Sequence, residues 1–112
     1  MTAADGNLYT LFRSRFPADR RETVIETETG RRYSYADLET ISGRYARLLR
    51  ETGIAPGDRV LVQTEKSPEA LFLYLACLRA GAIYVPLNIA YRAAELAYFI
   101  GDAEPRVIVC DP

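Results

Sequence analysis

Histidine is absent from the 112 residues, and tryptophan with it. Without imidazole the chain lacks the commonest neutral-pH acid–base group and the commonest metal ligand. Lysine occurs once, at Lys66, among fourteen basic residues. The basic pairs Arg20-Arg21 and Arg31-Arg32 are too short for a nucleic-acid stripe and read as solvated loop charges. Acids and bases are mixed along the chain and leave a formal charge of −1. Cysteine is limited to Cys77 and Cys110, far apart and each inside an apolar run. Two buried thiols in a reducing compartment are expected, rather than a disulfide or a metal site. The longest apolar run, Ala70–Leu78, is half of the roughly 20 residues that a membrane-spanning helix needs. The start, "MTAADGNLYTLF", is acidic and has no basic region ahead of an apolar core, so no signal peptide is expected. Together these absences predict a soluble, cytoplasmic chain with neither nucleic acid nor membrane as partner.

What is present is ordinary globular composition: 49% hydrophobic and 26% charged residues. The length suits one domain that buries roughly two-thirds of its unfolded surface. Leu8, Leu11 and Phe12 have helical spacing in "NLYTLFRSRF", a short helix that Pro17 ends. "TVIETETGRRYSY" reads as two strands around Thr29-Gly30, a β-hairpin. Ser34-Tyr35-Ala36-Asp37 has the pattern of a helix N-cap. The helix that follows is expected to bury Leu38, Ile41, Tyr45, Leu48 and Leu49, with Gly53 as its stop.

From Arg59 the chain alternates strand and helix. "RVLVQ" is a strand, Ser67-Pro68 starts a helix, and Gly81 ends it with a left-handed cap. That helix is apolar nearly all round and must be covered on more than one side. "AIYVP" is the next strand; "RAAELAYFIGDAE" is a helix with Ala93, Leu96, Phe99 and Ile100 on one face. "RVIVC" is the last strand, with a run of the kind that needs both faces buried. The fold class is α/β: an N-terminal β-hairpin and helix, then a β-α-β-α-β parallel-sheet unit. With only "DP" after the last strand, half of that strand's expected neighbours are missing.

Candidate chemistry is sparse. The loop Gln63–Ser67, "QTEKS", joins a strand's carboxyl end to a helix N-terminus, the place where doubly wound folds bind ligands. Lys66 would add a positive charge there. No glycine-rich phosphate loop accompanies it, however, and Ser67 is already accounted for as a cap. Glu65 and Glu69 make an imaginable carboxylate pair with no nucleophile beside them, and Glu69 suits a first helical turn in its own right. Tyr33, Tyr35, Tyr74, Tyr84, Tyr91 and Tyr98 read as packing residues with hydroxyls at the rim.

Two motifs carry a resemblance. "YSYADL" (Tyr33–Leu38) and "LRAGAIYVPLN" (Leu78–Asn88), with "GDRV" (Gly57–Val60) between them, resemble the first core motifs of the adenylate-forming, AMP-binding superfamily. That superfamily includes acyl-CoA synthetases, luciferases and the adenylation domains of peptide synthetases. Within it, "TEKSPEALFLYLACLRAGAIYVPLN", Ala90-Tyr91 and the closing "DAEPRVIVCDP" are most similar to malonyl-CoA synthetases. Ile89-Ala90-Tyr91-Arg92 stands where many relatives carry prolines, a departure that favours this group over amino-acid adenylation domains. The resemblance runs from about Asn7 to Pro112.

The resemblance implies an N-terminal segment of an ATP-dependent acyl-CoA synthetase. Residues 1–112 would be a partial N-terminal subdomain of the large adenylate-forming domain, without the phosphate loop and the C-terminal domain. The complete enzyme would convert a malonate-like carboxylate, ATP and coenzyme A to acyl-CoA, AMP and diphosphate through an acyl-adenylate, with Mg2+. No catalytic, cofactor-binding or metal-ligating residue is carried over, and Lys66 lies in a different motif from the family's catalytic lysine. The segment alone is expected to be inactive, its partner being the remainder of the ligase chain. The alternatives are a standalone non-catalytic module built on the ligase scaffold, or another ligase: a fatty or aryl acyl-CoA synthetase, or an amino-acid adenylation domain.

Overall fold

Local chemistry sets the helix ends first. In a computed structural model, which describes residues 7–110, Asn7 caps α1 (Leu8–Ser14) by accepting from the Tyr9 N–H. The acidic start that bore on the signal-peptide reading, residues 1–6, and the closing Asp111-Pro112 lie outside the described residues. Strands β1 (Thr23–Glu26) and β2 (Arg32–Ser34) pair antiparallel around Gly30, which takes φ +88°. Ser34 then opens α2 (Tyr35–Glu51) with a reciprocal capping box: its hydroxyl accepts from the Asp37 N–H, and Asp37 accepts from the Ser34 N–H.

The second half is β3 (Arg59–Gln63), α3 (Pro68–Ala80), β4 (Ile83–Pro86), α4 (Ala93–Ala103) and β5 (Val107–Cys110). Ser67 accepts from the Ala70 N–H at 3.1 Å, and Pro68 takes the first helical position, where no N–H is needed. Gly81 closes α3 in the left-handed region at φ +74°. A side chain at that position would meet Pro56 at 3.3 Å, and the Gly81 carbonyl accepts from the Gly57 N–H at 2.9 Å. The helix can therefore turn straight into β4.

The three strands form a parallel sheet in the order β4-β3-β5. The first strand of the unit thus sits in the middle, with Val60, Leu61 and Val62 all at 2% exposure or less. One core lies between α2, α3 and one sheet face: Ala46, Leu49, Val60, Val62, Ala76 and Cys77, with Tyr84, Val107 and Val109 packed on it. A second joins α1, the hairpin, α2 and α3 around Phe72 and Leu75.

Four expectations need correction. Leu48 is not a core residue: it is 60% exposed, and α2 buries Leu38, Ser42, Ala46 and Leu49 instead. The buried stripe is centred on small residues because α3 packs closely there. Cys110 is exposed, not buried, because β5 is an edge strand and its Ile108/Cys110 side faces outward. For the same reason β5 is covered on one face only. Tyr98 is 68% exposed, and α4, although formed as expected, contains no buried residue. Among the described residues no helix is long and apolar enough to cross a membrane.

The two thiols consequently differ. Burial pushes Cys77 up to about 11. A thiol reagent at neutral pH is expected to label one thiol per folded chain quickly, at Cys110, and both only after unfolding. Rapid double labelling of the folded chain would show that the α2–α3–sheet core is open.

Candidate functional site

Parallel strands present their carboxyl ends together, and the order β4-β3-β5 makes the chain reverse direction between β3 and β5. Crevices at such reversals are where open α/β sheets take ligands. Two recesses occur here. The larger, about 370 Å³, lies between α2, the start of α3 and β5, and is lined by Tyr45, Leu48, Leu49, Leu73, Val107 and Val109, with Thr64, Ser67 and Glu69 among its polar edge residues. The smaller, about 260 Å³, is lined by Gln63, Glu65, Ile89 and Cys110. Gln63 shapes it: its amide donates to the carbonyls of Asn88 (3.0 Å) and Tyr91 (3.1 Å) and holds the β4–α4 loop beside β3.

The "QTEKS" loop therefore sits where the sequence suggested, but its residues do not converge. Lys66 is exposed and lines neither recess. Ser67 is occupied as the α3 cap. Glu65 faces the smaller recess and Glu69 the larger, so no carboxylate pair forms. Glu69 instead accepts from Arg31 of the hairpin at 2.8 Å, and Arg31 also donates to the Tyr33 hydroxyl at 3.2 Å. The Arg31 hydrogen bond, then the bond from its own backbone N–H, hold the Glu69 carboxyl below its ordinary value. A depressed carboxylate stabilises above its unfolded value, and that contribution is lost as pH falls through the folded one. With both partners half exposed the contribution is small.

One functional-looking group escaped the motif reading. Arg79, near the end of α3, donates to the Glu39 carbonyl (2.7 Å), the Ser42 hydroxyl (3.0 Å) and the Tyr9 hydroxyl (3.3 Å). Its guanidinium lies 4.5 Å from the Tyr9 ring centroid, a cation–π distance. It joins α1, α2 and α3, and its partners are neutral groups of the protein, not a ligand site. The available signal was Ser42-Gly43, two small residues in the middle of an amphipathic helix.

Chemically, the arrangement offers shape and one accessible thiol, Cys110, but no assembled catalytic set. Among the described residues no three His, Cys, Asp or Glu side chains are placed to hold a metal ion. Neither recess has a basic or glycine-rich cradle for a triphosphate, so the residues present do not by themselves fit ATP, Mg2+ or coenzyme A.

Comparison with known proteins gives this scaffold its relatives. The family model for AMP-binding enzymes matches residues 12–112. Apo and ATP-bound MatB from Rhodopseudomonas palustris superpose with a TM-score of 0.90 and 51% identity, over 95% of this chain and 21% of theirs. The chain is 36% identical over 81 residues to 3-hydroxybenzoate--CoA/4-hydroxybenzoate--CoA ligase of Thauera aromatica, covering 72% of this chain and 16% of the relative. It is also 32% identical over 93 residues to bacitracin synthase 3 of Bacillus licheniformis, which covers 83% of this chain and 1% of that protein. The chain thus spans about a fifth or less of the length of each.

Proposed function

This chain belongs to the AMP-binding enzyme family, and from that premise we propose that it is the N-terminal scaffold of an ATP-dependent acyl-CoA synthetase that acts on malonate. The observation carrying the proposal is the 51% identity and 0.90 TM-score to MatB, a malonyl-CoA synthetase whose structure has been solved with ATP bound. The likeness to a CoA ligase for an aryl acid supports the broader ligase class. The complete enzyme joins the carboxylate to the adenylyl group of ATP with release of diphosphate, and the coenzyme A thiol then displaces AMP. The residues described here hold one face of a sheet, with its reversal point, against α2 and α3. Groups that bind ATP, Mg2+ and coenzyme A belong to the rest of that enzyme. We also propose a cytoplasmic location for it.

The similarity to bacitracin synthase 3 favours a second reading, an amino-acid-adenylating domain. One experiment separates the two. The native gene product is captured from source cells with an antibody to this chain, weighed, and assayed with ATP and either malonate plus coenzyme A or a panel of amino acids. A mass several times 12.6 kDa and malonate-dependent acyl-CoA formation are expected. Amino-acid-dependent exchange of diphosphate into ATP, without malonyl-CoA, would transfer the assignment to the second reading. A product near the mass of this chain would identify a freestanding non-catalytic module.

A further inference from the structure

We draw no further inference here: the strongest candidate, the crevice at the carboxyl ends of β3 and β5 lined by Gln63, Glu65, Ile89 and Cys110, belongs to the site already described, and nothing in the structure shows what occupies it.

Discussion

Phe72→Ala is expected to cost about 4 kcal/mol of stability, by loss of transfer energy and creation of a cavity. Phe72 is 1% exposed and lies where α3 meets everything N-terminal to it. Its ring stands edge-on to Tyr33 at 5.1 Å and to Tyr45 at 6.2 Å, contacts that add to area burial. Tyr33 comes from the hairpin and Tyr45 from α2, so the substitution loosens two attachments at once. Since a domain of this size has roughly 5–15 kcal/mol in total, the variant should be close to unfolding at 25 °C. Urea titration followed by far-ultraviolet circular dichroism measures the loss. Phe72→Leu, which keeps most of the volume, should cost about 1–2 kcal/mol. A loss under about 1 kcal/mol for the alanine variant would mean that the second core does not hold the hairpin.

Arg79→Met is the second large effect, with an expected loss of about 3 kcal/mol. Methionine can follow the alkyl stem but supplies none of the three hydrogen bonds to Glu39, Ser42 and Tyr9. Ser42 is fully enclosed, so its oxygen loses a charged donor with no water to replace it. The double variant Arg79→Met/Ser42→Ala should therefore cost less than the sum of the two single changes, with a coupling of about 1 kcal/mol or more. Arg79→Lys should recover only part of the loss, because its ammonium ends one bond short of Nη1, the single nitrogen that reaches Glu39, Ser42 and Tyr9, and lacks the flat guanidinium beside the Tyr9 ring. Strict additivity in the double-variant cycle would show that the guanidinium acts through packing rather than through these bonds.

What was legible in the sequence is what local chemistry decides. Ser34 with Asp37, Ser67 with Pro68, Gly30 and Gly81 each fix one turn of backbone through groups a few residues apart, and each did so where expected. The parallel β-α-β-α-β unit was legible as well, because its helices and strands alternate in period. Burial was harder. The apolar pattern of α2 allowed a stripe through Leu48, and only the approach of α3 makes Ser42 and Ala46 the buried pair. Gly43 belongs to the same contact: a side chain there would begin 3.2 Å from the Arg79 guanidinium. An apolar run such as Val107–Cys110 reads the same whether a strand is central or at an edge, so the exposure of Cys110 depends on the sheet order. The "QTEKS" loop joins β3 to α3 as its pattern suggested, yet the recess beside it takes its shape from Gln63 reaching residues 25 and 28 positions onward. No local pattern encodes that reach.

The central position of β3 also bears on how the chain is made. A ribosome delivers β3 before β4 and β5, so each later strand emerges to find its partner already in place. Synthesis at roughly 5–20 residues per second is slow beside hairpin and helix formation, which take microseconds. The sheet can therefore be assembled vectorially, growing outward on both sides of its oldest strand. After β4 has paired, β3 still offers one open edge until β5 is synthesised, and a nascent-chain chaperone would find its target there.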